Sequence, residues 1–479
     1  MPADRRANII LITTDQHRGD CLGLAHPVVQ TPNLDWLARS GAWFPRAHTE
    51  CPSCIPARFM MMTGMAPAAN GLVGFKGVDM DPAHTLAGEL TRAGYQTEMI
   101  GKLHLFPVGK RFGFEHMQLT DGYDPYANAY LHWLRQVHRR TEEHAHLAHG
   151  AGTNAWVGRP SHLPEEQTHT FWCINQAIAF IKRRDPTVPF FLNISFNDPH
   201  PPLTPPALYY DRYMAKDLPA PATGDWADDL GGPQKGLNPN GWKIHLDADP
   251  MKQCRAGYYG LINFIDDQIG RLIQVAAGLR DTFVVFASDH GEMLGDHHLF
   301  RKCVPYEGSS RIPLLCRGPE WMGLRSEVVS DVPVGLQDIM PTLLEVAGAP
   351  IPDTCTGRSL LPLLRGETPA WRDVLHGEDN GCYDRQDAHH FLVDHHMKYI
   401  WFTQTGRERL FDLADDPDER HDLARGDDAE RRLGPYREKL IALLADRPEG
   451  FTDGIRLIAG REHDFTIPGY RPGKTFPFV

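Results

Sequence analysis

No apolar run among the 479 residues is long enough for a helix that crosses a bilayer. No transmembrane segment is therefore expected. Positive charge is in deficit: 49 Lys and Arg stand against 61 Asp and Glu, a net charge of -12. That balance argues against nucleic acid as a partner, because a phosphate backbone needs a basic face. A local cationic pocket for a small anion stays compatible with it. Cysteine is sparse. The nine present are an odd number without framework spacing, which excludes a disulfide scaffold and suits a reducing compartment. Repeats and low-complexity tracts are absent. The basic start is followed by an apolar run over 9–13 that is too short for a secretion signal and reaches Asp15 without a small-residue cleavage site. A cytoplasmic location is the expectation.

What is present is an ordinary globular composition, 42% hydrophobic and 23% charged. Its length suits a large domain plus a smaller one. Four apolar runs share one layout, at 9–13, 95–100, 189–196 and 282–287. Each reads as a buried strand and ends in ionisable residues. Helical stretches precede or follow them, at 33–40, 85–93, 165–183 and 250–278. This alternation predicts an α/β fold: a large, mixed, mostly parallel sheet sandwiched by helices. Ligands of such sheets bind beyond the carboxyl ends of the strands. The long connections 105–163 and 199–248 are expected to be irregular and to wall the pocket. Trp133, Trp156, His162 and His169 are further candidates to line it. A shift in composition near 366–369 sets the expected division: a catalytic domain over 1–368, a small α+β subdomain with an antiparallel sheet over 369–450, and an extended tail over 451–479. The tail is expected to lie across the chain's own surface or a neighbouring subunit's, so a homo-oligomer is a reasonable assembly.

The chemistry gathers at strand ends. Pro56 places Cys54 at or just before a helix N-terminus, where the macrodipole favours an anion. Arg58, in the same turn, can fork onto a sulfate or phosphate. Asp15 and Gln16 follow the first strand. Lys102 and His104 follow the second, His200 the third, Asp289 and His290 the fourth, and Lys302 comes after them. His297, His298, His389, His390, His395 and His396 are expected to stand outside the reacting centre.

The segment Cys54-x-Pro56-x-Arg58 resembles the pattern by which sulfatases are recognised for oxidation of the cysteine to formylglycine. Asp15-Gln16, Gly101-Lys102-Leu103-His104, Asp198-Pro199-His200 and Ser288-Asp289-His290-Gly291-Glu292-Met293-Leu294-Gly295 resemble further segments of that family, of the alkaline phosphatase superfamily. Leu410-Phe411-Asp412-Leu413 does so in the smaller domain. The resemblance covers nearly the whole chain outside the two long connections and the tail. It implies one divalent metal held by Asp15, Gln16, Asp289 and His290, with residue 54 beside it. Ca²⁺ suits these hard ligands best, with Mg²⁺, Mn²⁺ or Zn²⁺ as alternatives. It implies that Arg58, Lys102 and Lys302 bind the sulfate oxygens. His200, with Lys302, would protonate the leaving oxygen, and His104 would take a proton from the aldehyde hydrate. The expected substrate is a small sulfate monoester (aryl, alkyl or sugar), and a formylglycine-generating maturation enzyme is an expected partner. The alternatives are phosphonate monoester or phosphate diester hydrolysis by the same nucleophile, and a non-catalytic anion-binding protein on the same fold.

Overall fold

The computed structural model describes residues 6–122, 124, 126–139, 150–230, 234–235, 238–276 and 281–470. The end of the tail (471–479), the last residues of the helix expected to reach 278, and the middle of the first long connection lie outside them.

An eight-stranded sheet forms the centre. Its strands are β1 (Asn8–Asp15), β2 (Ala42–Trp43), β3 (Gln96–Gly101), β4 (His116–Leu119), β5 (Phe190–Pro199), β6 (Thr282–Ser288), β7 (Leu314–Arg317) and β8 (Val328–Val329). The spatial order is β8-β2-β7-β6-β1-β5-β3-β4. β7 runs antiparallel to both its neighbours, and the remaining pairings are parallel. All four apolar runs are strands here. Alternation along them serves two cores. Ile9 and Leu11 face helices α2 (Cys54–Thr63) and α3 (Leu86–Arg92), while Ile10 and Ile12 face α1 (Pro32–Arg39), α5 (His169–Arg183) and the long α6 (Ala248–Ala276). Burial on both faces explains why these strands read as continuous apolar runs.

The first long connection is less irregular than its composition predicts. It contains β4 and a helix, α4 (Ala129–Val137), capped by the Asn128 side chain accepting from the Leu131 N–H. Its Gly, His and aromatic content hid an amphipathic stretch whose Tyr130, Leu131 and Leu134 are buried.

The second sheet is an antiparallel meander of β9 (Leu375–Asp379), β10 (His389–Val393), β11 (Met397–Phe402) and β12 (Glu408–Asp412). One face carries Leu392, Tyr399, Trp401 and Leu410 against α7 (Ala429–Leu443). The other carries Phe391, Ile400, Phe402 and Phe411 against Trp226, Met293 and Tyr306 of the larger unit. The described part of the tail crosses the chain's own surface: Val73 N–H donates to the Phe465 carbonyl and Ile467 N–H to the Gly71 carbonyl.

Candidate active site

Residue 54 opens α2. Ser53 before it is extended (φ -148°, ψ 135°), and all ten residues of the helix are buried. The Cys54 Sγ lies 3.1 Å from His290 Nε2, 3.2 Å from Lys302 Nζ and 3.8 Å from Asp15 Oδ1. Burial and then Asp15 push its thiol above the ordinary cysteine value, against the pull of Lys302 and Lys102. An unmodified cysteine here stays protonated and is a weak nucleophile.

Asp15 and Asp289 follow Thr14 and Ser288, which are paired across the neighbouring strands β1 and β6. Both carboxylates are fully buried. Candidate ligand atoms of Asp15, Cys54, Asp289 and His290 all lie within 4.8 Å of one another. Arg58 Nε donates to Asp289 Oδ2 at 2.8 Å, and Lys102 Nζ donates to Asp15 Oδ2. Burial alone would raise the Asp15 pKa. Lys102 and Lys302 hold it well below the ordinary value. His290 Nδ1 sits 2.9 Å from the Gly291 carbonyl, which can only accept, so that nitrogen carries the proton. The Nε2 lone pair then points at Cys54 and the two carboxylates. Two buried carboxylates sharing one space with an imidazole lone pair fit a divalent cation.

Gln16 is held in the left-handed region (φ 72°). Its Oε1 accepts from Lys302 Nζ at 2.8 Å, and its Nε2 donates to Glu292. Arg58 Nη1 reaches the Lys102 carbonyl and Ser195 Oγ, both at 2.8 Å, while Nη2 is buried without a hydrogen-bond partner among the described residues.

A sulfatase family profile matches residues 7–349, and a profile described as N-sulphoglucosamine sulphohydrolase, C-terminal, matches 295–445. The chain belongs to the sulfatase family. An arylsulfatase of Clostridium perfringens is 40% identical to it over 95% of this chain and 98% of its own length. A multifunctional alkaline phosphatase superfamily protein of Trinickia caryophylli is 31% identical over 91% and 95%. Among solved structures, a phosphonate monoester hydrolase of Agrobacterium radiobacter superimposes with a TM-score of 0.76 at 28% identity, covering 92% of this chain and 96% of that one. This sulfatase is accordingly a sulfuric ester hydrolase.

A cavity of about 420 Å³ opens onto Cys54 in the sulfatase. Lys102, His104, His200 and Lys302 line it as well. Every residue expected at the site from the sequence is thus in or beside one cluster. The loop after β3 makes a sharp turn. Gly101 has φ 101°, and a Cβ there would come within 1.9 Å of the Ser195 carbonyl. His104 is also left-handed (φ 54°), and its N–H and that of Leu103 donate to Asp121. His104 Nδ1 is buried without a hydrogen-bond partner among the described residues. Burial, Lys102 and Arg58 push its pKa well below the ordinary value, so the ring is neutral.

His200 Nδ1 lies 2.8 Å from the Pro201 carbonyl. Burial and Lys302 keep this ring neutral too. Of the further candidates, His169 lines the cavity. Trp133 instead packs on Tyr130, and Trp156 donates to the Asn238 carbonyl; neither they nor His162 are among its lining residues. Sequence reasoning missed Asp121, and gave no role to Ser195 or Glu292 although both lie in segments it singled out; these three hold His104, Arg58 and Gln16 in place. Single polar residues in loops and strands leave no pattern that marks them in advance.

Proposed function

We propose that this sulfatase hydrolyses a small sulfate monoester, with residue 54 as formylglycine and one divalent cation, Ca²⁺ by preference, held by Asp15, Gln16, Asp289 and His290. The single observation that carries the proposal is the position of residue 54. It stands at a buried helix N-terminus, against the carboxylate pair, with Lys302 3.2 Å away and the cavity in front of it. The aldehyde hydrate would supply a nucleophilic hydroxyl and a carbon–oxygen bond through which sulfate can later leave, and the cation would offset charge on the sulfate.

This chain's own groups do the rest. Arg58 Nη2, 3.8 Å from Asp15 Oδ2 and without a hydrogen-bond partner among the described residues, would donate to a sulfate oxygen. Lys102 and Lys302 flank the same space. Neutral His104 can accept a proton at a ring nitrogen, as a base must. His200 holds its proton at Nδ1, on the Pro201 carbonyl, so its other nitrogen can donate only from the imidazolium form. Lys302, whose pKa Asp15 raises against the cost of burial, is the resident proton holder beside it. The leaving alcohol therefore draws its proton from Lys302, or from His200 once the substrate's negative charge has favoured the imidazolium.

Phosphonate monoester or phosphate diester hydrolysis is the second reading, favoured by the likeness to the Agrobacterium radiobacter enzyme. The two are separated by kcat/KM for an aryl sulfate and the matching aryl phosphonate monoester. The sulfate is expected to be preferred, and the reverse ranking overturns the order. A formylglycine-generating enzyme must act first, so protein made without one is expected to carry a thiol at residue 54 and to be inactive.

A further inference from the structure

We propose that Arg301 forms an anion subsite beside the reacting centre, and that the alcohol released by this sulfatase carries an anionic substituent such as a carboxylate. The proposal rests on the sulfate monoester reading above.

Arg301 directly precedes Lys302 and lines the same cavity. Its backbone is left-handed (φ 70°) and its N–H donates to Glu292. A long side chain held in that region is costly and persists only where the surroundings fix it. Here they do. Nη2 donates to the Asn240 carbonyl, and the guanidinium carbon lies 5.4 Å from the Tyr383 ring centroid. Yet no carboxylate among the described residues is within ion-pair distance of Arg301, and its Nε is buried with no hydrogen-bond partner.

The other two cations of the cavity sit at the reacting centre. Lys102 is paired with Asp15, and Lys302 is hydrogen-bonded to Gln16 and residue 54. The acids of the cavity are committed: Asp121 accepts from the Leu103 and His104 N–H groups, and Asp198 from Thr170. A guanidinium partly withdrawn from water without a counterion is unfavourable until an anion binds. The sulfate undergoing cleavage already has Arg58, Lys102 and Lys302. The anion that Arg301 lacks is a second one, on the same substrate. Tyr130, Phe264 and Tyr383 give the cavity aromatic walls, and its size of about 420 Å³ suits a single-ring substrate.

The test uses two esters of matched shape, 4-sulfooxybenzoate and its methyl ester, with the fully matured enzyme and its Arg301→Met and Arg301→Lys variants. Arg301→Met is expected to raise KM for the carboxylate by about ten- to a hundredfold, as loss of a charged hydrogen bond does. KM for the methyl ester should stay within about twofold on the same grounds, kcat should hold for both, and Arg301→Lys should recover part of the loss. Equal rises for both esters, or no rise for either, would overturn the subsite. Failure of the wild-type enzyme to cleave either ester would overturn the small-substrate reading, and the subsite with it.

Discussion

Lys302 and Glu307 lie in one short segment of chain but belong to different buried charge clusters. Lys302 joins residue 54, Gln16, Asp15, Asp289 and Arg58. Glu307 joins His48 and Lys398, both at 2.7 Å, and Lys398 lies 3.3 Å from Glu419. The second cluster ties the larger unit to the small sheet, because Lys398 stands in β11 and His48 precedes α2. Lys398 also donates to Ser310, and the Glu307 N–H donates to Glu419. None of these residues lines the cavity over residue 54. Buried atoms without a hydrogen-bond partner among the described residues occur on both sides: Arg58 Nη2 and His104 Nδ1 at the first, Glu307 Oε2 and Glu419 Oε1 in the second. Burial and charge are common to both clusters. What separates the site from the junction is a space that a ligand can enter, lined by residue 54, Lys102, His104, His200 and Lys302.

Four substitutions would break or sharpen that contrast. Cys54→Ala should lower kcat with an aryl sulfate by about 10⁴-fold or more while leaving the melting temperature nearly unchanged, since it removes the nucleophile and little else. Lys398→Met should do the opposite. It strands Glu307 and Glu419 in the interior, at a cost of about 3–5 kcal/mol in denaturant unfolding, with kcat kept in the fraction that remains folded. Lys302→Met should lower kcat by about 10²–10³-fold, the effect of losing one charged group at the reacting atoms.

Glu419→Gln tests the junction through pH. Burial, against Lys398, pushes the Glu419 carboxyl up to about 7 from 4.5. A carboxyl raised in the folded state costs nothing below its unfolded value and progressively destabilises the fold as pH climbs from about 4.5 to about 7. Wild-type stability should therefore fall across that window relative to the variant, by on the order of 3 kcal/mol. Glu307 has the opposite sign. Burial would raise it, but Lys398 and His48 hold it well below the usual carboxylate range. Its contribution is present above about 4.5 and is lost as pH falls below that. Parallel pH curves for wild type and Glu419→Gln would show that Glu419 does not titrate in this range.

Much of both regions was legible in the sequence, for different reasons. The central strands announce themselves because burial on both faces leaves little but apolar residues in them. The reacting groups are legible because strand ends deliver them: Asp15, Lys102, His200 and Asp289 each follow a run that could only be a buried strand. The junction was not legible. β11 reads as a strand, but nothing near Lys398 in the chain says that its partners are Glu307 and Glu419. β9 was missed altogether, since His376, Glu378 and Asp379 make it look like a loop. Glu378 is buried there because Arg447, far along the chain, pairs with it at 2.8 Å. Charges paired through long sequence separations carry no local signal. The positioning role of Asp121 was hidden in the same way, in a connection whose composition suggested no regular structure.

The central claim is that residue 54 reacts as an aldehyde hydrate and not as the thiol encoded. Mass analysis of the peptide spanning residue 54, taken from enzyme that turns over an aryl sulfate, tests this most directly. The account predicts that the sulfur is lost, that the peptide carries an aldehyde, and that the aldehyde fraction scales with specific activity across preparations. A fully active preparation in which residue 54 is entirely cysteine would contradict it.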